Sequence, residues 1–271
     1  MDMSEARRSE SSESLELLRV GAWIVAFGAI AFVLEAFLGN YNAAAPLLGL
    51  FVIDYLARRF GFYWDHVEGR TVLRQCGIVA LGFLLGAGVV LLLVGAALAF
   101  GWAVVSIGRP TLGAVLPGLL VPFATAARDE LLFRGAPLAL LRERVSDRIA
   151  LPFVALLGAA PMALQSKASV IGIAVAVLSG WVFAMAVRAS RGLFLAWGAH
   201  AGWLFMLGAG TNGMVLDVEV GSGMWSPLSF ACGNAGLLLL GVSGIAAIVV
   251  TAVYWSRGAC LIGCGRSTSS Q

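Results

Sequence analysis

Long apolar runs alternate with short polar connections along the whole chain. Runs of spanning length occupy residues 20–38, 77–108, 111–127, 149–166, 168–187, 193–210 and 228–255, and a shorter run occupies 43–57. A helix needs about 20 apolar residues to cross roughly 30 Å of hydrocarbon. The pattern therefore predicts about eight membrane-spanning helices.

Composition supports this interpretation. Of the 271 residues, 60% are hydrophobic and only 12% are charged, and the mean hydropathy is +0.91. Soluble domains carry about 25% charged residues. These values exclude a water-soluble enzyme, and the predicted fold class is an all-α, polytopic transmembrane helical bundle.

The positions of the basic residues predict the orientation, because short loops rich in Lys and Arg stay on the cytoplasmic side. With the N-terminus inside, sixteen of the 18 basic residues fall in inner segments, and only Arg109 and Lys167 fall in outer turns. We therefore expect both termini in the cytoplasm. The expected organisation is a disordered tail at 1–18, a transmembrane domain at 19–255 and a second cytoplasmic tail at 256–271.

One charge cluster interrupts the apolar pattern where the fourth predicted span ends. The sequence VPFATAARDELLFRGAPLALLRER holds Asp129, Glu130 and Arg134 on one predicted helix. Glu130 and Arg134 have the i, i+4 spacing of an ion pair, and Asp129 points about 100° away. Charges at membrane depth are costly and mark functional sites. The alternative is a solvated helix end at the cytoplasmic surface.

A histidine and a glutamine complete the set of candidate residues. His200 lies in GLFLAWGAHAGWLF, inside a predicted span, and Gln165 lies near the end of the fifth span. A single histidine on an apolar helix is often only a satisfied core residue. In a bundle, however, His200 and Asp129 could meet and together hold or activate a water molecule.

These segments resemble the motifs of the CPBP family of intramembrane proteases, which includes CAAX proteases and bacteriocin-processing or abortive-infection proteins. The heptapeptide DELLFRG at 129–135 is similar to the family's EExxxR motif, and HAGWLF at 200–205 is similar to HxxxN. PMALQ at 161–165 stands where the FxxxH motif belongs. The resemblance covers about residues 77–245.

The resemblance implies an intramembrane endopeptidase that hydrolyses a peptide bond of a membrane-associated or prenylated substrate. Asp129 takes the position of the acid that activates water, Glu130 and Arg134 form the supporting pair, and His200 and Gln165 take the positions of the oxyanion-stabilising histidines. The implied location is the bacterial plasma membrane, with multiple crossings. The lipid bilayer and a membrane peptide or protein are the expected partners, and nucleic acid is not.

Three departures from the family motifs bear on activity. Asp129 replaces Glu and withdraws the carboxylate by about 1.5 Å, a displacement that can cost about 100-fold in rate. Gln165 replaces a histidine and cannot titrate near pH 7. Leu204 replaces asparagine, and loss of an oxyanion donor typically costs about 10²–10³ in rate.

The same departures weaken a metal site. Asp129, Glu130 and His200 offer at most three ligands for zinc, and Arg134 accounts better for Glu130. We therefore expect no cofactor, with a zinc ion kept as the alternative.

Two further hypotheses remain open at this point. The first is a non-cleaving relative that keeps the cavity and binds a membrane peptide or a partner protein, as the replacements at 129, 165 and 204 allow. The second is a small-solute or ion transporter, for which Glu35, Asp54 and the 128–134 cluster would be the buried charges. Transporters usually carry internal repeats, and none stands out in this sequence.

Overall fold

The computed structural model describes residues 15, 18, 21–23, 25–26, 29, 44–59, 62, 64, 70–141, 145–163, 169–220, 223–224 and 233–264. The tail predicted at 1–18 lies almost entirely outside these residues, as does the end of the chain after 264. The described part is mostly helical, which agrees with the predicted class.

The helices follow the predicted runs closely. They are α1 (Ala44–Arg59), α2 (Val72–Ala99), α3 (Leu112–Glu130), α4 (Ala136–Leu141), α5 (Asp147–Ala163), α6 (Val170–Ser190), α7 (Phe194–Phe205) and α8 (Gly233–Cys264). Two π-helical turns join this set: π1 (Leu131–Gly135) connects α3 to α4, and π2 (Met206–Gly210) extends α7. α8 continues nine residues beyond 255, the predicted end of the last span.

A small antiparallel sheet departs from the all-helical prediction. β1 (Ala103–Ile107) pairs with β2 (Leu216–Val220), which pairs with β3 (Gly223–Met224). The apolar run at 77–108 is therefore a helix only as far as Ala99. The chain turns through Gly101, whose φ of 68° ordinary side chains rarely adopt, and then enters the strand.

α2 and α7 pack against each other with their backbones in close approach. Glycines on both helices make this possible, because a Cβ on Gly86 would lie 1.9 Å from the Ala199 carbonyl oxygen, and one on Gly202 would lie 2.1 Å from the Phe83 oxygen. Small residues at a helix interface are typical of membrane bundles. The contacts advance in the same direction on both helices, so α2 and α7 run parallel.

Among the described residues, α2 and α6 are long and apolar enough to cross a membrane. Only 33% of the apolar window of α2 and 39% of that of α6 are buried within the protein. Large side chains such as Leu84 and Leu92 on α2 are exposed. A soluble core helix would be mostly buried, so these surfaces are those of a membrane protein.

Candidate functional site

A buried carboxylate at the end of α3 forms the centre of the candidate site. Glu130 is completely inaccessible to solvent, and its Oε1 accepts a hydrogen bond from Arg134 Nη1 on π1. The same oxygen lies 2.8 Å from His200 Nδ1 on α7. A carboxylate only accepts hydrogen bonds, so Nδ1 carries the hydrogen. The predicted Glu130–Arg134 ion pair is confirmed.

The π1 turn positions Arg134 and the residue after it. Arg134 is 4% exposed, and Gly158 on α5 makes room for its guanidinium, since a Cβ there would lie 2.9 Å from Nη2. Gly135 makes similar room for Leu193, which a Cβ would meet at 2.7 Å. π-Helical turns within α-helices are frequent at functional sites. Here the turn carries Arg134 back towards Glu130.

Phe183 on α6 supports both partners of Glu130. Its ring stacks on the His200 imidazole, with centroids 5.0 Å apart and planes inclined by 19°. The Arg134 guanidinium carbon lies 5.1 Å from the centre of the same ring. A cation over an aromatic face is attracted by the ring quadrupole. Sequence reasoning missed Phe183, because one phenylalanine in an apolar helix carries no distinguishing signal.

Asp129 occupies a different environment from its neighbour. Its Oδ1 accepts a hydrogen bond of 2.8 Å from Arg128 Nε, and its side chain is 23% exposed. Gly49 on α1 lies against the stem of Arg128, where a Cβ would be 3.0 Å from Cδ. The sequence left Asp129 free to meet His200, but the described contact of His200 is with Glu130. The two acids thus differ in access: Glu130 is enclosed and Asp129 is partly open.

The remaining candidates of the sequence analysis are placed only in part. Leu204 lies one helical turn after His200 on α7 and is half-buried, so the position of the motif's asparagine presents an apolar side chain. Gln165 lies outside the described residues. The convergence of Asp129, Gln165 and His200 on one cavity therefore stays a prediction.

The acids considered for a transport pathway are also only partly described. Asp54, near the end of α1, accepts hydrogen bonds from Arg58 Nε at 2.9 Å and from Trp64 Nε1 at 2.6 Å. Glu35 lies outside the described residues. Asp54 thus belongs to a local network with a tryptophan rather than to the Glu130 cluster.

Two polar atoms of the site keep hydrogen-bonding capacity. Among the described residues, Glu130 Oε2 and Arg134 Nε are buried and have no hydrogen-bond partner. Buried polar groups are almost always paired, and exceptions occur at functional sites. This unused acceptor and unused donor therefore mark the cluster as a candidate functional site.

The side chains described around Glu130 do not form a metal-ligand set. No group of three or more His, Cys, Asp or Glu side chains converges within the described part of the chain. Glu130 and His200 contact each other directly, and Asp129 is engaged by Arg128. Zinc sites need at least three protein ligands directed at one point, so we derive no step through a metal.

Residues 109–206 match the family model described as type II CAAX prenyl endopeptidase Rce1-like. No curated protein and no solved structure matches the chain. The matched segment contains α3, π1, α6 and α7 in full, and so includes every described residue of the Glu130 cluster. The chain is thus similar to the Rce1-like CAAX endopeptidases over residues 109–206, which agrees with the CPBP resemblance of its motifs.

Proposed function

We propose that the protein is an intramembrane endopeptidase of the CAAX type, which hydrolyses a peptide bond of a membrane-associated or prenylated substrate. The observation that carries the proposal is the hydrogen bond between His200 and the buried Glu130. It joins the first and last motif segments into one polar cluster inside an apolar helical protein. The family match over 109–206 supports the same reaction class.

In the proposed mechanism the two neighbouring acids have different roles. Asp129 is partly exposed, so it acts as the general base that takes a proton from water while the oxygen attacks the peptide carbonyl. The carbon–nitrogen bond then breaks, and the proton passes to the departing amine. Glu130 is enclosed and acts as a positioning residue. It fixes Nδ1 of His200, which leaves Nε2 on the opposite side of the ring for the reacting peptide.

The test is cleavage of prenylated C-terminal peptides by the full chain in liposomes. We expect Asp129→Asn and His200→Ala each to lower the cleavage rate at least 100-fold, because each removes a group that touches the reacting atoms. Asp217→Asn, which removes a carboxylate on β2 outside the motif segments, is the matched control and should keep the parental rate. Equal cleavage by all four proteins would contradict the mechanism.

The replacements in the motifs favour a second candidate, a non-cleaving relative that binds a membrane peptide or partner protein. Leu204 presents no hydrogen-bond donor on the turn that follows His200. This candidate predicts no cleavage by the native chain. It also predicts that Asp129→Glu, Gln165→His and Leu204→Asn together create cleavage, and a triple variant as inert as its parent would count against it.

We further propose about eight crossings with both termini in the cytoplasm, in a bacterial plasma membrane. The pairing of β1 with β2 supports this topology. It brings residues 103–107, at the outer end of the run predicted at 77–108, together with residues 216–220 of the outer connection predicted between the last two spans. The parallel packing of α2 and α7 supports it as well, since both are expected to run from the inner to the outer surface.

A further inference from the structure

A second polar site lies away from the Glu130 cluster, in a cleft where α5 begins, α6 ends and α8 passes. Its cavity holds about 480 Å³, within the range of small-ligand sites. The floor is apolar and includes Leu138, Val187 and Leu193. The polar lining consists of Ser146, Asp147, Arg188, Arg191 and Tyr254, and we call this space the Arg191 cleft.

Asp147 organises the polar wall and is fully engaged by it. Its Oδ1 accepts a hydrogen bond from Arg188 Nη2, and its Oδ2 accepts one of 2.8 Å from the Tyr254 hydroxyl. These bonds tie together α5, α6 and α8. Because Asp147 and Arg188 neutralise each other, the charge that remains among the described lining residues is that of Arg191.

Arg191 is held in an unusual backbone conformation. It follows the last turn of α6 with φ 54° and ψ 33°, the left-handed region in which helices commonly end on glycine. Such a conformation is unfavourable for a residue with a Cβ. Arg191 is exposed, and within the described residues its guanidinium pairs with no carboxylate. The fold thus keeps a cation, unpaired among the described residues, at a position where glycine would be easier to accommodate.

The depth of the cleft identifies the kind of ligand that can reach it. Residues 170–187 of α6 carry no charge, and Arg188 is the first charged residue of this candidate span. Eighteen residues of helix extend about 27 Å, close to the thickness of the hydrocarbon layer. Tyr254 ends an apolar stretch of α8, and tyrosine is enriched at the membrane interface. We therefore expect the cleft at the level of the lipid headgroups.

From these observations we propose that the Arg191 cleft binds the phosphate of an anionic phospholipid headgroup. The positive charge of Arg191 among the described lining residues suits an anionic phosphodiester, and a guanidinium binds phosphate through paired N–H donors. Arg188 Nε, which is buried and has no hydrogen-bond partner among the described residues, adds a donor in the same wall. The apolar floor suits the first carbons of an acyl chain. Basic pockets between helices at the cytoplasmic side are known to hold such headgroups.

The test is binding of a short-chain phosphatidylglycerol to the purified full chain in a neutral detergent, with phosphatidylcholine and inorganic phosphate as comparison ligands. Arg191→Gly removes the guanidinium and suits the left-handed backbone, so this variant should fold at least as well as the parent. Arg191→Gln removes only the charge. Arg109→Gln is the matched control. It also removes one arginine charge, but in a predicted outer turn, whereas the Arg191 cleft is expected at the cytoplasmic side.

We expect both Arg191 variants to bind phosphatidylglycerol at least ten-fold more weakly, as loss of a charge-assisted contact implies, and the control to bind like the parent. The lipid should also raise the unfolding temperature of the parent but not that of Arg191→Gly. Unchanged lipid affinity in both Arg191 variants would overturn the proposal. So would binding of inorganic phosphate as tight as that of the lipid, which would assign the cleft to a free anion.

Discussion

Glu130 combines complete burial with two different polar partners on one oxygen. An ionised carboxylate in an apolar interior is costly unless it is paired and hydrogen-bonded. Arg134 provides the opposite charge from π1, and His200 provides a second donor from α7. The stability of this region and the placement of the His200 ring therefore depend on the same side chain.

Replacement of Glu130 should destabilise the protein more than replacement of its neighbour. Glu130→Gln leaves the Arg134 charge buried without a counter-ion, which should cost about 3 kcal/mol. Asp129→Asn breaks a partly exposed contact with Arg128 and should cost about 1 kcal/mol or less. Thermal unfolding of both variants in the same detergent measures the difference. Equal losses would show that Glu130 does not hold the site together.

The sequence predicted one partner of Glu130 and not the other. The i, i+4 spacing was sufficient for Arg134, because both residues lie on one helix. The partner of His200 depends on how α3 and α7 turn towards each other, which spacing along one helix does not determine. Both acids of the motif were candidates, and the structure gives the described hydrogen bond to Glu130 rather than to Asp129.

At the scale of the elements, glycine contacts between α2 and α7 set the position of His200. Gly86 lies against the backbone around Ala199, the residue directly before His200. A side chain at this point cannot be accommodated by rotamer changes, because the opposing atoms are backbone. The distance between the two helices is therefore fixed by the absence of a Cβ.

Substitution of this glycine should separate the helices. Gly86→Ala should cost about 2 kcal/mol or more by overpacking, and it should also lower any cleavage activity by displacing His200. Gly88→Ala is the control on the same helix, because a Cβ there meets nothing within 4 Å. That variant should be neutral or more stable by up to about 1 kcal/mol, since alanine favours helix. Unfolding temperatures that fall equally in both variants would refute the packing argument.

The elements themselves were predicted well where polar residues bounded them and poorly where they did not. The charge-free run at 77–108 offered no boundary, so its last part was taken as helix. In the structure residues 103–107 form β1, whose β-branched side chains suit a strand. Gly101 was the available signal, but a single glycine is frequent in membrane helices.

For the whole molecule, the orientation in the bilayer is the most direct consequence of the sequence that awaits measurement. Two exposed serines offer a matched pair of reporters: Ser106 in β1, expected outside, and Ser146 before α5, expected inside. In a cysteine-free background, Ser106→Cys should react with a membrane-impermeant maleimide in intact cells. Ser146→Cys should react only after permeabilisation, and labelling of both in intact cells would overturn the topology.

The π1 turn has a consequence for the relation between the two polar sites. A π-turn closes its hydrogen bonds one residue later than an α-turn, so it is equivalent to a single-residue insertion in a continuous helix. Each residue rotates a helix by about 100°. Deleting one residue from 131–133 would convert π1 into ordinary α-helix. If Glu130 then stayed beside His200, Gly135 would rotate by about 100° and would no longer face Leu193. One inserted residue thus determines the rotation of the helix between the Glu130 cluster and the residues Gly135 and Leu193 that line the Arg191 cleft.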